Sequence, residues 1–174
     1  MSEPLLAAPA QPPGRPKAGP APSGGSDPSA AGSVVAIFSW PVRIYWEDTD
    51  AGGIVFYANY LKFFERARTE WLRHLGVEQH ALREQVGGMF VVTSTQLRYH
   101  RPARLDDLLL VTARVTESGK ASLTIEQSAV LQQDGAAPTV LCEGSIRIGW
   151  VDAATLRPQR IPASVIQALS TGNH

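Results

Sequence analysis

The chain has 174 residues, with 16 basic and 16 acidic side chains, and therefore carries no formal net charge. Zero net charge argues against nucleic acid as a main partner, because neutralising phosphates needs a basic surface. The single cysteine, Cys142, excludes an internal disulfide. No His or Cys spacing predicts a metal site. No apolar run reaches the roughly 18 residues that cross a bilayer. We therefore expect a cytoplasmic globular protein with no membrane span.

The first 33 residues differ from the rest of the chain in composition. Most of them are Pro, Gly, Ala or Ser, and the first aromatic residue of the chain is Phe38. Such a segment cannot bury enough apolar surface to offset the entropy cost of ordering it. It also lacks the basic and apolar regions of a signal peptide. We predict a disordered tail over residues 1–35, a folded domain over residues 36–170 and a short C-terminal tail over residues 171–174.

The folded part begins with a predicted strand, a turn and one long helix. Residues 36–48 carry apolar side chains at every second position, which indicates a strand, and Pro41 restricts that strand to an edge or a bulge. Turn-forming residues fill positions 48–53. Apolar residues then recur at steps of three and four, which predicts a helix over residues 55–75 that ends at Gly76. The predicted apolar face of this helix comprises Tyr57, Tyr60, Leu61, Phe64, Ala67, Trp71 and Leu75.

The remaining segments predict mostly strands. Residues 78–85 are typical of a short helix, and residues 89–100 of a strand with Phe90, Val92 and Leu97 in the core. Residues 107–117 and 120–132 predict a hairpin, because Ser118-Gly119 is a turn signal. A further strand over 139–151 and a terminal helix over 161–169 follow. Together these elements predict an α+β fold, with one long helix packed on an antiparallel sheet of about five strands.

The turn before the long helix concentrates groups suited to the hydrolysis of an activated acyl group. Glu47, Asp48 and Asp50 precede a helix N-terminus, where unpaired N–H groups carry partial positive charge. Gly52 and Gly53 let the backbone approach a ligand closely. N–H groups stabilise a developing oxyanion while a carboxylate attacks or activates water. An N-cap and an ordinary turn are the plain alternatives for these residues.

Two other motifs with paired aspartates fit the sequence poorly. A calcium loop that starts at Asp48 would need Glu at its twelfth position, where Asn59 stands. A phosphatase motif would need Thr or Val in place of Gly52, on a parallel sheet. We expect Asp48 to organise the loop by accepting backbone hydrogen bonds, and Glu65 to be a solvated or structural carboxylate. The histidines show no ligand spacing and are expected on the surface or in the core: His74, His80, His100 and His174.

A resemblance extends this interpretation. Residues 42–60, VRIYWEDTDAGGIVFYANY, resemble the opening motif of hot-dog-fold acyl-CoA thioesterases. More narrowly, they resemble the 4-hydroxybenzoyl-CoA thioesterase family and its Tol–Pal-associated branch, which FERARTE at 64–70 and PARLDD at 102–107 also match. The resemblance runs from about residue 40 to residue 169. It implies the hot-dog fold and an acyl-CoA hydrolase that releases a carboxylic acid and free coenzyme A, with no metal or organic cofactor.

The resemblance also implies roles for individual residues. Asp50 corresponds to the family's catalytic carboxylate, as nucleophile or as general base. The backbone N–H of Tyr57 corresponds to the group that polarises the thioester carbonyl, and Gly53 falls where the backbone passes close to the acyl–sulfur linkage. The residues expected to contact substrate are Trp46, Phe56 and Asn59. The Tol–Pal-associated branch often has His where Tyr57 stands and Tyr where Trp46 stands, which leaves the preferred acyl group open.

Assembly and partners follow from the same resemblance. It implies a homodimer or homotetramer with the acyl-CoA site at a subunit interface, and acyl carrier protein is an alternative donor of the acyl group. Arg98, Arg101 and Arg104 could meet the coenzyme A phosphates, although no family motif matches them for that role. Two other functions stay open at this point. One is a non-catalytic module that binds acyl-CoA or acyl carrier protein, and the other is a hot-dog dehydratase, which would need a catalytic His.

Overall fold

The computed structural model describes residues 37–133 and 135–171. The predicted tail over residues 1–35, and residues 172–174 of the predicted C-terminal tail, lie outside the described residues. A 3-10 turn over Trp46–Asp48 follows the first strand. The main elements, in chain order, are β1 (Phe38–Arg43), α1 (Asn59–His74), α2 (Gln79–Val86), β2 (Gly88–Tyr99), β3 (Leu108–Ser118), β4 (Ser122–Gln132), β5 (Thr139–Asp152) and α3 (Ala163–Thr171).

The strands form one five-stranded antiparallel sheet. Their order is β1-β3-β4-β5-β2, so β1 and β2 lie at the two edges. Pro41 stands opposite Leu110 on the β1 edge, where a missing N–H donor is tolerated. The predicted hairpin at Ser118-Gly119 is confirmed, because the Gly119 N–H donates to the Ser122 carbonyl at 2.8 Å. The α+β class and the five-stranded antiparallel sheet are therefore confirmed.

The core lies between α1 and one face of the sheet. Tyr60, Phe63, Phe64, Ala67 and Trp71 recur along α1 at helical spacing and are all buried. Burying each large side chain of this kind stabilises the fold by roughly 1.5–3 kcal/mol. The sheet supplies the opposing buried side chains from β3, β4 and β5: Leu109, Val111, Leu123, Ile125, Leu141, Ile146 and Trp150.

One buried polar cluster ties α1 to the centre of the sheet. The Gln127 side chain on β4 is 1% exposed; its Nε2 donates to the Phe64 carbonyl at 3.0 Å, and its Oε1 accepts from Arg68 Nη1 at 2.7 Å. The second guanidinium nitrogen of Arg68 pairs with Glu65. Buried polar groups are costly unless they are hydrogen-bonded, and here each has a partner. The cluster therefore adds polar contacts between α1 and the sheet to the apolar contacts of the core.

The structure corrects the start of the long helix. It begins at Asn59 instead of residue 55, and it ends as predicted, with Gly76 in the left-handed conformation just beyond it. Val55 is buried, but its backbone is extended and its N–H donates to the Ala103 carbonyl at 2.9 Å. Tyr57 and Leu61 are exposed, although the helical period placed both on the apolar face.

Two further expectations were wrong. The first strand ends at Arg43, and Trp46, predicted to continue its alternation, lies in the 3-10 turn with 78% of its surface exposed. Val92, a predicted core residue of β2, is 54% exposed because β2 is an edge strand with an irregular register next to it. Hydrophobic periodicity identifies a face of an element but does not reveal whether another element covers it.

Candidate active site

The loop between β1 and α1 is organised by Asp48. Its Oδ2 accepts the Tyr45 N–H at 3.0 Å, and its main-chain carbonyl accepts the Phe56 N–H and the Asn59 side-chain amide, each at 2.9 Å. These bonds join the start of the loop to its end and to the first residue of α1. The prediction that Asp48 organises the loop is confirmed.

Asp50 lies at the tip of this loop, on the surface. Its N–H donates to the Ile54 carbonyl at 2.9 Å, and its Oδ1 accepts the Gly52 N–H at 2.8 Å. No residue that the structure describes donates to the second carboxylate oxygen, Oδ2. Gly53, with φ +71°, closes the turn in a conformation that favours glycine. The loop thus holds one carboxylate oxygen in place and leaves the other available to a water molecule or a substrate.

The backbone N–H of Tyr57 has no acceptor in the described part of the chain. It lies two residues before α1, in the turn that leads into the helix. The helix has no side-chain cap hydrogen bond and no acidic residue in its first turn, so its positive end is not compensated there. An unpaired N–H at the positive end of a helix is suited to a carbonyl oxygen that gains negative charge.

The side chains expected to contact substrate fall into two groups. Trp46 and Phe56 are exposed, and the Phe56 ring contacts the exposed ring of Tyr57 with their centroids 4.6 Å apart. Asn59 is 6% exposed, and its amide is used in the hydrogen bond to Asp48 described above. The structure thus gives Asn59 a bracing role in the loop, and its contact with substrate stays a prediction.

The connection between β2 and β3 borders the loop on its other side. Ile54 forms an isolated antiparallel bridge with Arg104, and the Tyr60 hydroxyl accepts the Ala103 N–H at 3.0 Å. At the end of β2, the Tyr99 hydroxyl donates to the Tyr57 carbonyl at 3.1 Å. Tyr99 is not identifiable from sequence, because a tyrosine at the end of an edge strand has no local signal that relates it to a loop 42 residues away.

The other ionisable candidates lie in structural contacts. Glu65 pairs with Arg68 and accepts a hydrogen bond from Thr69 at 3.3 Å, which confirms the expected structural role. His80 lies 3.6 Å from Glu84, and His100 lies 3.0 Å from Glu143. His74 packs against Phe38, and His174 lies outside the described residues.

The described residues contain no group of three or more His, Cys, Asp or Glu side chains able to hold a metal ion.

Burial raises the pKa of the Cys142 thiol to about 12, with a smaller contribution from the charge of Glu143. This thiol is therefore protonated at neutral pH and is not a nucleophile. None of the helices described has the length and apolar content needed to cross a bilayer.

Comparisons with known proteins agree with the fold. Residues 52–137 match the Thioesterase superfamily. The acyl-CoA thioester hydrolase YbgC of Escherichia coli is 43% identical over 131 residues, which cover 75% of this chain and 93% of that protein. The acyl-CoA thioesterase YbgC of Haemophilus influenzae is 41% identical over 128 residues, covering 74% and 90%. A probable thioesterase from Bartonella henselae superposes with a TM-score of 0.66 at 31% identity, covering 73% of this chain and all of that one.

Proposed function

Because this chain belongs to the thioesterase superfamily and has its hot-dog fold, we propose that it hydrolyses acyl-CoA thioesters at the loop between β1 and α1. The products are a carboxylic acid and free coenzyme A. The observation that carries the proposal is that one short loop presents two groups with no hydrogen-bond partner among the described residues. These are one oxygen of the Asp50 carboxylate and the backbone N–H of Tyr57.

The reaction places negative charge on the thioester oxygen, whichever role Asp50 has. As a nucleophile, its carboxylate attacks the carbonyl carbon, the C–S bond breaks to release the coenzyme A thiolate, and water then hydrolyses the resulting anhydride. As a general base, it takes a proton from a water molecule that attacks the same carbon; the C–S bond then breaks, and the proton held by Asp50 passes to the departing coenzyme A thiolate. In both routes the Tyr57 N–H donates to the oxygen on which charge develops. Gly53 and the aromatic side chains of Trp46 and Phe56 border the bound acyl group.

Asp50→Asn tests the proposal directly. Removing the nucleophile or base is expected to lower kcat for acyl-CoA hydrolysis at least about 100-fold. Free coenzyme A is measured with a thiol-reactive dye, over straight-chain and aromatic acyl-CoAs. Glu47→Gln is the matched control, because it removes an exposed carboxylate from the same segment and is expected to leave turnover within about twofold of wild type.

Undiminished turnover by Asp50→Asn would contradict the role given to Asp50. A wild-type protein that binds acyl-CoAs but hydrolyses none of them would favour the non-catalytic binding module instead. Acyl carrier protein remains the alternative donor, and comparing one acyl group on coenzyme A and on the carrier distinguishes the two. A dehydratase is disfavoured, because the three histidines that the structure describes have their contacts outside this loop, with Phe38, Glu84 and Glu143.

The proposed enzyme acts as a homodimer or a larger homo-oligomer. In one subunit, Asp50 and Tyr57 lie on an exposed loop with exposed aromatic residues around them, so the described part of one chain does not enclose an acyl group. A second copy that joined the open β2 edge would continue the sheet and cover this side of α1. A cytoplasmic location also remains a prediction, which rests on the single cysteine.

A further inference from the structure

The carbonyl of Tyr57 is held by a side chain from a different part of the fold. The Tyr99 hydroxyl donates to it at 3.1 Å, across 42 positions of the sequence. In a regular helix this carbonyl would accept the N–H of Leu61, four residues later. Here the Leu61 N–H donates to Ala58 instead, at 3.1 Å. The Tyr99 hydroxyl is thus the donor that the structure provides to this carbonyl among the described residues.

Tyr99 completes the immobilisation of the Tyr57 amide. The peptide unit that carries the Tyr57 N–H is held at its other end, where the Phe56 carbonyl accepts the Asn59 N–H at 2.8 Å. The next peptide unit is held by Tyr99. Only two backbone dihedrals, φ and ψ of Tyr57, separate these two planes, so fixing both planes fixes the direction of the N–H.

The Tyr99 side chain is itself anchored. Its ring makes edge contacts with Tyr57 and Tyr60, at centroid distances of 6.3 and 5.8 Å, and its backbone pairs with Cys142 of β5. Tyr60 is buried and packs in turn on Phe63. Partial burial raises the pKa of Tyr99 above its ordinary value of 10.0, so its hydroxyl keeps the donated proton through the neutral range.

We infer that Tyr99 is a positioning residue for catalysis: its hydroxyl holds the turn before α1 so that the Tyr57 N–H stays directed at the thioester oxygen. This inference rests on the proposed function. Without the hydroxyl, the Tyr57 carbonyl is free to accept the Leu61 N–H and to extend α1 by a residue or more, which would turn the N–H away. Tyr99 therefore acts through the Tyr57 amide and does not touch the reacting atoms.

Tyr99→Phe tests the inference, because it keeps the ring contacts and removes only the hydroxyl. We expect kcat to fall at least about tenfold with KM within about twofold, since an amide shifted by a fraction of an ångström loses most of its effect on the transition state. Tyr60→Phe is the comparison variant. It removes a hydroxyl from the same aromatic group, but one that accepts the Ala103 N–H, and it is expected to lower Tm more than Tyr99→Phe does.

A vibrational measurement separates positioning from stability. In an Asp50→Asn background, which binds substrate without rapid turnover, the infrared carbonyl stretch of a ¹³C-labelled acyl-CoA is expected to shift to lower frequency on binding. Adding Tyr99→Phe should remove most of that shift, and adding Tyr60→Phe should leave it. A shift that persists in Asp50→Asn/Tyr99→Phe, or a kcat unchanged in Tyr99→Phe, would overturn the inference. Failure of the proposed function is a different result, namely a wild-type protein without hydrolase activity.

Discussion

At the scale of single residues, the core tolerates no side chain at two glycines of the sheet. A Cβ atom on Gly88 would lie 2.3–2.7 Å from three ring atoms of Trp150, and one on Gly144 would lie 2.5 Å from Leu97 and 3.1 Å from Phe64. The Trp150 ring is buried and makes an edge contact with Phe90, so it has no free space to enter. Close packing makes even one added carbon costly at such a site.

Gly88→Ala is therefore expected to lower the free energy of unfolding by about 1–3 kcal/mol. Urea denaturation followed by tryptophan fluorescence measures the change, and also reports whether the Trp150 environment is altered. Gly119→Ala is the matched control: its added Cβ would meet ordinary contacts of 3.4 and 3.5 Å in the hairpin turn, and its stability should stay within about 0.5 kcal/mol of wild type. Equal stability of the two variants would contradict this expectation and would show that β2 can shift enough to accommodate the added Cβ beside the Trp150 ring.

The candidate site was predictable from sequence only where it is local. Asp50, Gly53 and Tyr57 fall within one motif of nearby residues, and the acidic turn before a helix gave that motif a chemical meaning. Tyr99 could not be identified, because its contact with the Tyr57 carbonyl exists only once the sheet has formed. Arg68 is a second example. Its position in the helical period predicts no partner, yet its guanidinium donates to the Gln127 side chain of β4.

At the scale of elements, patterns located the five strands and three α-helices of the described residues, but not the 3-10 turn over Trp46–Asp48, the end of β1 or the start of α1. Val55 and Tyr57 continue the apolar spacing of α1 toward the N-terminus, which is why the prediction placed them in it. Val55 is buried by the β2–β3 connection, and Tyr57 lies in a turn whose carbonyl is bound by a side chain. Tertiary hydrogen bonds therefore override helix spacing at the one boundary that carries the proposed chemistry.

The turn after β5 carries a titratable contact of its own. Asp152 Oδ1 accepts the Thr155 N–H at 2.7 Å, the Thr155 hydroxyl at 2.8 Å and the Ala154 N–H at 3.1 Å. These bonds, led by the Thr155 N–H, lower the pKa of Asp152 below its ordinary value of 3.8. A carboxyl group with a lowered pKa in the folded state stabilises the fold at pH values above its ordinary pKa, and that contribution is lost as pH falls through the lowered value.

Asp152→Asn is accordingly expected to lower Tm at pH 7, because the ionised acceptor is lost. The Tm difference from wild type should begin to shrink as the pH falls below 3.8, where Asp152 of the unfolded chain takes up a proton, and should be lost as the pH falls through the lowered pKa of the folded protein. Thermal melts between pH 2.5 and pH 7 measure it. Glu47→Gln serves again as the control, since the Glu47 carboxylate makes no hydrogen bond with a described residue. A Tm difference that stays constant with pH would contradict this account of the turn.

At the scale of the whole molecule, the two edges of the sheet are unequal. β1 is six residues long and carries Pro41, whereas β2 is 12 residues long, has no proline and exposes Val92. A proline and a short length protect an edge strand from pairing with another chain, so β2 is the edge open to a second copy. The proposed dimer therefore joins β2 to β2.

Val92→Lys tests this dimer, because a lysine on an edge strand opposes pairing. Light scattering during size-exclusion chromatography is expected to give wild-type protein at least twice the chain mass of 18.8 kDa, and the variant at that mass. Val140→Lys changes an exposed valine of the interior strand β5 and should leave the assembly intact. We also expect the Val92→Lys variant, once it no longer dimerises, to lose hydrolase activity. A wild-type monomer with full activity would contradict the dimer.

The single sulfhydryl of the chain also affects how product release is measured. Burial raises the pKa of the Cys142 thiol to about 12, so the thiol stays protonated at the pH of the assay, and its side chain is fully buried. In the folded protein, Cys142 is therefore not expected to react with the disulfide reagents that quantify free coenzyme A. Each equivalent of reagent consumed then corresponds to one cleaved thioester. A slow additional reaction with Cys142 would indicate that the protein is unfolding, so one absorbance trace follows both turnover and loss of the native state.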